Sequence, residues 1–183
     1  MEVQIEKNKI SKIIKTFKTN LPLYAEHCLK IIDKQGNLID FKFNEAQRLL
    51  DKMINEQYSH HGRVRMLILK SRQTGISTYC QARGFWKTNT EQNQNAVVVS
   101  HLNESTKAIF SMVKNFYDNL PHPVVTPELK ESTSNSMAFT HGSRWRIATA
   151  RTGEVGRGWT TNYLHGSEVA FYPNADIIPG LLQ

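Results

Sequence analysis

Cysteine is scarce: Cys28 and Cys80 are the only two in 183 residues. Two thiols make neither the multi-bridge framework of a small secreted domain nor a cysteine-rich metal cluster, so a reducing interior is the expected setting. Long apolar runs are missing too. No stretch approaches the roughly 18 apolar residues a membrane span requires, and Met1 opens a basic, polar segment rather than a signal-peptide core. Acidic residues are in deficit, 16 against 23 basic ones, giving a net charge of +7. That balance permits a phosphate-rich partner without selecting one. With 39% hydrophobic and 21% charged residues the composition is that of a folded protein, and the length suits one α/β domain rather than two.

The positive excess is N-terminal. Residues 1–70 carry 13 basic and 8 acidic side chains, residues 71–120 carry 5 and 3, and residues 121–183 carry 5 and 5. Lys7, Lys9, Lys12, Lys15 and Lys18 recur among Ile10, Ile13, Ile14 and Phe17, which predicts an amphipathic helix with ammonium groups on one side. Such a face is either simply solvated or in contact with nucleic acid or a membrane surface. Cys28 to Ile32 and Leu38 to Phe43 flank Asp33-Lys34-Gln35-Gly36-Asn37 and read as a hairpin. Asn44 is then placed to cap a helix over Glu45 to Gln57, with Ala46, Leu49, Leu50 and Ile54 on one face. Ser59 to Arg63 reads as a polar loop whose paired histidines lack further ligands at a metal-binding spacing.

Val64, Met66, Leu67, Ile68 and Leu69 form an apolar run suited to a buried central strand. A glycine loop and a helix over Ser77 to Trp86 follow it, a β-loop-α unit. The pattern repeats with a strand at Ala96 to Ser100 and a helix from about Glu104 to Tyr117, on which Ala108, Ile109, Met112, Val113 and Phe116 share a face. Pro121, Pro123 and Pro127 mark a surface excursion. Met137 to Thr140 and Arg144 to Thr149 read as paired strands about Gly142, with Trp145 and Ile147 on one parity, and Tyr163 to His165 as a short strand ending in polar chemistry. No internal repeat is visible.

The segment Lys70-Ser71-Arg72-Gln73-Thr74-Gly75-Ile76-Ser77-Thr78 carries the most information. Against the phosphate-loop pattern Gly-x-x-x-x-Gly-Lys-Ser/Thr, Gly75 and Ser77 fit, while Lys70 replaces the first glycine and Ile76 the lysine. A phosphate cradle needs inward N–H groups, a helix N-terminus, an ammonium and a hydroxyl for magnesium. All four are available here if Lys70 reaches across the loop from the strand side, with Arg72 assisting or replacing it. The competing reading is an ordinary strand–helix junction containing a glycine.

Glu168 follows Tyr163-Leu164-His165-Gly166-Ser167, where a carboxylate at a strand end would orient an attacking water. A structural glutamate beginning the next turn competes with that role. Ser167 occupies the place of an acidic magnesium-shell residue, so a hydroxyl or water would do that work. Arg151 and Arg157, among Gly153, Gly156 and Gly158, are candidates to reach phosphate oxygens in this chain or a neighbour, or to form surface salt bridges. Gln47 and Phe43 are candidates to hydrogen-bond and cover an adenine, or to serve as core and surface residues.

Taken in order, Leu21-Pro22-Leu23-Tyr24-Ala25, Phe41-Lys42-Phe43-Asn44-Glu45-Ala46-Gln47, the Lys70 to Thr78 loop, Gly156-Arg157-Gly158 and Ser167-Glu168-Val169-Ala170-Phe171 resemble the N-terminal part of the ATPase domain of tailed-bacteriophage terminase large subunits, the DNA-packaging motors. The resemblance implies a partial RecA-like P-loop NTPase sheet with flanking helices and an N-terminal helix-hairpin extension. Residues 1–60 would be that extension and residues 61–183 an incomplete ATPase core. It implies ATP and Mg2+ as cofactors and Gln47 as the adenine-contacting glutamine. Lys70 would supply the loop's ammonium, as in several family members. Ser77 and Ser167 would lie by the metal, Glu168 would be the catalytic glutamate, and Arg157 would act on a neighbouring subunit's nucleotide. Ser167 departs from the family, many of whose members have aspartate there. The implied partners are double-stranded DNA, a terminase small subunit, a capsid portal and a homo-oligomeric ring in the host cytoplasm. The family's RNase H-like nuclease and last ATPase strands are not in these residues, so a fragment is the expectation. Two other functions compete: a DNA-binding or assembly module without hydrolysis, and a different nucleic-acid-dependent ATPase such as a helicase.

Overall fold

The structure, a computed structural model, describes residues 2–121, 127–150 and 160–173, with side chains from residue 11 onward. It is a mixed α/β fold. The N-terminal part contributes α1 (Glu2–Thr19), α2 (Leu21–Cys28), the hairpin strands β1 (Lys30–Ile32) and β2 (Leu38–Asp40), and α3 (Glu45–His61). Then come α4 (Ile76–Thr90), β3 (Asn95–Ser100), α5 (Asn103–Asp118), β4 (Leu129–Ser132), β5 (Ser136–Phe139), β6 (Arg144–Thr149) and β7 (Tyr163–Gly166).

The main sheet has the order β4-β5-β6-β3-β7. β3 pairs in parallel with β6 on one side, Val98 opposite Ile147, and with β7 on the other, Val98 opposite His165. β5 pairs antiparallel with both β4 and β6. The period of two decides which side chains meet the helices. Ala96, Val98, Trp145, Ile147, Met137 and Phe139 join the core beneath α4 and α5, which supply Tyr79, Phe85, Ile109, Val113 and Phe116. Val97, Val99 and Ala150 form a smaller cluster on the opposite face.

Helix boundaries follow from local chemistry. Asn44 and Gln47 make a reciprocal capping box at the start of α3, and Gly62 ends it with a left-handed φ of 65° that glycine adopts without strain. The helix thus runs to His61, and Ser59, His60 and His61 lie in its last turn, not in a loop. Asn20 caps α2 and Pro22 sits in its first turn, so Cys28 ends a helix instead of starting a strand. The hairpin forms in the expected place, closed by Asp33, whose carboxylate accepts from the backbone of Gln35 and Asn37, and by the Lys30–Asp40 ion pair.

The main correction concerns residues 64–69. This run forms no strand: Arg65 exchanges two hydrogen bonds with the Gln57 side-chain amide, and the second half of the run lies open, with Leu67 94% and Leu69 102% exposed. Val64 and Met66 do pack on the core. The run is apolar on both faces, and a strand of that kind is buried only when neighbours flank both its edges. Among the described residues no strand lies against it, so one face stays in water. In chain order it still immediately precedes the loop and α4, as expected.

α4 is held close to β7. The Tyr163 hydroxyl donates to the Cys80 carbonyl at 2.8 Å, and a Cβ at Gly84 would lie 2.8 Å from the Tyr163 ring. α4 is tied to α3 by a buried network: Tyr79 and Arg83 both donate to Asp51 Oδ1, and Arg83 also donates to Asn55. Gly84→Ala is therefore expected to destabilise the fold by ~1–3 kcal/mol through overpacking, although alanine gains about 1 kcal/mol in helix propensity. Urea unfolding of the two proteins checks the sign.

Candidate functional site

β3 is a point where the chain turns both ways. After β3 it travels through α5, β4 and β5 to reach β6 on one side, then returns to add β7 on the other. Parallel strands that part in this way open a crevice at their carboxyl ends, the usual place for a ligand in open α/β sheets. Ser100 and His101 stand at the end of β3, Ser167 and Glu168 at the end of β7. The Ser167 amide donates to the Val99 carbonyl at 2.8 Å, one step beyond the β7 ladder.

Glu168 has a left-handed backbone, φ 57° and ψ 45°, and opens the 3-10 turn Val169–Phe171. For a side-chain-bearing residue this conformation costs on the order of 1–3 kcal/mol, a strain found disproportionately at functional sites. Its carboxylate, 49% exposed, lies 3.0 Å from Nδ1 of His101, whose side chain is 17% exposed. Ser167 is buried. Among the buried polar atoms without a hydrogen bond are Ser100 Oγ and His101 Nδ1 at the end of β3 and Gln81 Oε1 on α4; others, such as His141 Nδ1 and Trp145 Nε1, lie elsewhere. Unsatisfied groups of this kind call for a partner, whether water, ion or ligand.

The loop before α4 is built from several directions. Gly75 takes φ 74° as the N-cap of α4 and offers no side-chain cap, which leaves first-turn N–H groups unpaired by any capping side chain. Gln73 is also left-handed, φ 61°. Lys34 of the hairpin turn donates to Gln73 Oε1, Asn44 to the Thr74 carbonyl at 3.1 Å, and Gln47 to the Gly75 carbonyl at 2.8 Å. A Cβ on Gly75 would come within 2.6 Å of Gln47 Nε2, so only glycine fits beneath the clamp. Lys70, Ser71, Arg72 and Gln73 are exposed, Thr74, Ser77 and Thr78 half-buried.

The remaining candidates sort by burial. Ile76 is in the core, which accounts for an apolar residue where the standard loop has lysine. Gln47 is buried, and both ends of its amide are engaged within the chain, Oε1 by the Asn44 amide and Nε2 by Gly75. Phe43 is buried too, edge-on to Tyr79 at 5.3 Å and beside Phe41. Arg151, Arg157, Gly153, Gly156 and Gly158 lie outside the described residues.

Lys70 lies close enough to β7 for its charge to reach His165. Burial pushes that imidazole down to about 4, and the lysine adds to the depression. Gln81 Nε2 sits 3.0 Å from Nδ1 of His165. Burial also raises the Cys80 thiol to about 11, against the opposing pull of Tyr163, Arg83 and Lys70, so this cysteine is no nucleophile at neutral pH. The apolar groove between α1 and α2, about 540 Å³ and lined by Ile13, Phe17 and Leu23, is formed by different elements.

The structure thus joins Asn44 and Gln47 to the loop and brings Ser167 and Glu168 to the end of β3. Sequence reading missed His101, Ser100 and the clamp formed by Asn44 and Lys34. His101 had a signal, since it directly follows the apolar strand Ala96 to Ser100, the same strand-end position that singled out Glu168. The clamps had none, because they join residues 30 or more positions apart.

Compared with known proteins, the sequence matches no family model, and no curated protein matches it. No described helix is long and apolar enough to cross a membrane.

His165 generates a pH prediction. Its folded value lies below the ordinary 6.5, so between pH 6.5 and about 4 the unfolded chain binds a proton that the folded chain refuses. Stability should fall by ~2–3 kcal/mol as pH drops through that window and be unaffected by this group above it. His165→Asn, which keeps an acceptor for Gln81, should flatten that part of the profile, as read by urea midpoints between pH 4 and 7.

Proposed function

We propose that this chain is the nucleotide-hydrolysing core of a double-stranded DNA packaging motor of the terminase large-subunit kind, a RecA-like P-loop ATPase acting in a ring with a small subunit and a portal in the host cytoplasm. The observation that carries the reading is Glu168 at the carboxyl edge of β7, beside the end of β3, with the charge of Lys70 felt three residues earlier on the same strand. A strand-end carboxylate, a lysine preceding the loop and a helix N-terminus without a side-chain cap are the kinds of group that the triphosphate of ATP would call on.

The donor types present would suit a magnesium nucleotide. Ser77 in the first turn of α4 and Ser167 beside Glu168 offer hydroxyls for the metal, and Ser100 Oγ is a buried polar atom still lacking a partner. Bound magnesium would neutralise charge on the phosphates. Lys70 and the loop amides would hold the phosphate oxygens, with Ser71, Arg72 and Thr78 at the margin of the cradle. Glu168 would orient the attacking water and accept its proton. Gln47 holds the loop and Phe43 packs in the core, and a base contact by Gln47 would require it to release one of its two internal bonds. Arg157 would serve a neighbouring nucleotide.

A second reading, a DNA-binding or assembly module without hydrolysis, is favoured by one observation: Lys12, Lys15 and Lys18 are all exposed on α1, while Ser167 supplies no acidic group beside Glu168.

Two substitutions test the first reading. Lys70→Ala should weaken ATP binding or turnover by about tenfold or more, with Ile76→Ala acting instead on stability. Equal effects on nucleotide binding in folded protein would reject the role of Lys70. Glu168→Gln should keep nucleotide affinity within about threefold while turnover falls by ~100-fold or more; DNA binding indifferent to nucleotide, with no hydrolysis, would favour the second reading.

A further inference from the structure

We propose that His101 is a positioning residue for the Glu168 carboxylate. The inference rests on the hydrolytic reading above and assigns the group that aims its general base.

The geometry is specific. Nδ1 of His101 is buried, makes no aligned hydrogen bond, and lies 3.0 Å from Oε2 of Glu168. A carboxylate only accepts, so Nδ1 must carry a hydrogen for this approach to be attractive. The turn after Glu168 lies beside the imidazole as well. The Phe171 amide donates to the Glu168 carbonyl at 3.0 Å, and the Phe171 ring lies 5.5 Å from the imidazole. The carboxylate, the turn that follows it and the imidazole therefore form one small unit between the ends of β3 and β7.

Magnitudes argue against a purely structural bond. A contact with a half-exposed carboxylate contributes about 0–1 kcal/mol even where both partners are charged, less than the roughly 1–3 kcal/mol that the left-handed backbone of Glu168 costs. The arrangement does not stabilise the fold on balance. What it restricts is range: a freely rotating glutamate would sample solvent, whereas a donor on His101 Nδ1 would keep Oε2 near the strand end and leave Oε1 for the water.

The test exploits which nitrogen is used. Asparagine places its amide nitrogen near the position of Nδ1, glutamine near that of Nε2. With magnesium and ATP, His101→Ala and His101→Gln should lower kcat by ~10- to 100-fold while KM changes less than about threefold, and His101→Asn should recover most of the rate. In ¹⁵N-histidine spectra of the full chain, His101 should carry its hydrogen on Nδ1 and shift toward the Nε2–H form in Glu168→Ala. If His101→Ala and His101→Gln hydrolyse at the wild-type rate while Glu168→Gln does not, the positioning role is wrong and the hydrolytic reading stands. If all three His101 variants lose activity equally while remaining folded, the nitrogen-specific contact is rejected. If wild-type protein neither binds nor hydrolyses ATP, both readings fall, and the spectra then report a contact of the fold alone.

Discussion

Parallel pairing of β3 on both edges is the constraint from which the rest follows. Val97, Val98 and Val99 are fully buried and apolar on both faces of the strand, so β3 is stable only between two neighbours and two covered faces. β6 and β7 meet that need from opposite sides: the connection out of β3 runs to one side of it, and the connection out of β6 crosses back to the other. Strand order thus makes that end the expected place for a ligand crevice. Because the ladder extends to Ser167, the next residue, Glu168, is delivered beside His101.

The helical layer fixes the loop by a different means. α4 lies against β7 with no room for a side chain at Gly84, and Arg83, Tyr79 and Asp51 tie it to α3. A buried ion pair of this kind adds little net stability over apolar packing, yet leaving one partner without the other is costly, so it favours one relative placement of the two helices. That placement brings Asn44 and Gln47 at the start of α3 over the start of α4, where their amides hold Thr74 and Gly75. The shape of the loop is thus set by residues some 30 positions earlier in the chain.

Residues 64–69 show what happens when an apolar segment has no ladder to join. Each fully exposed leucine forgoes about 1.5–3 kcal/mol of burial, and unpaired strand groups invite association with another extended chain. Val64 and Met66 still reach the core, and the Gln57 side chain of α3 bonds both backbone groups of Arg65, which holds this part of the segment against α3.

Much was legible in the amino-acid order. Periodicity located α3, α4, α5, β3, β5, β6 and β7 to within a few residues, since one-sided burial writes its repeat directly into the chain. It also marked Trp145 and Ile147 as core and Glu168 as a strand-end carboxylate. The sequence could not reveal that Val64 to Leu69 would go unpaired, because apolarity states a need for neighbours without supplying them. It gave no sign of β4, whose exposed residues have no apolar repeat, nor of the burial of Gln47 and Phe43, which depends on where α3 packs. Local pattern determined most of the helices and strands, through spacing, capping and turn chemistry. Only the tertiary structure decided which of their ends meet, because the contacts of His101 with Glu168 and of Asn44 with Thr74 join residues far apart in the chain and arise only when the sheet and helices have closed.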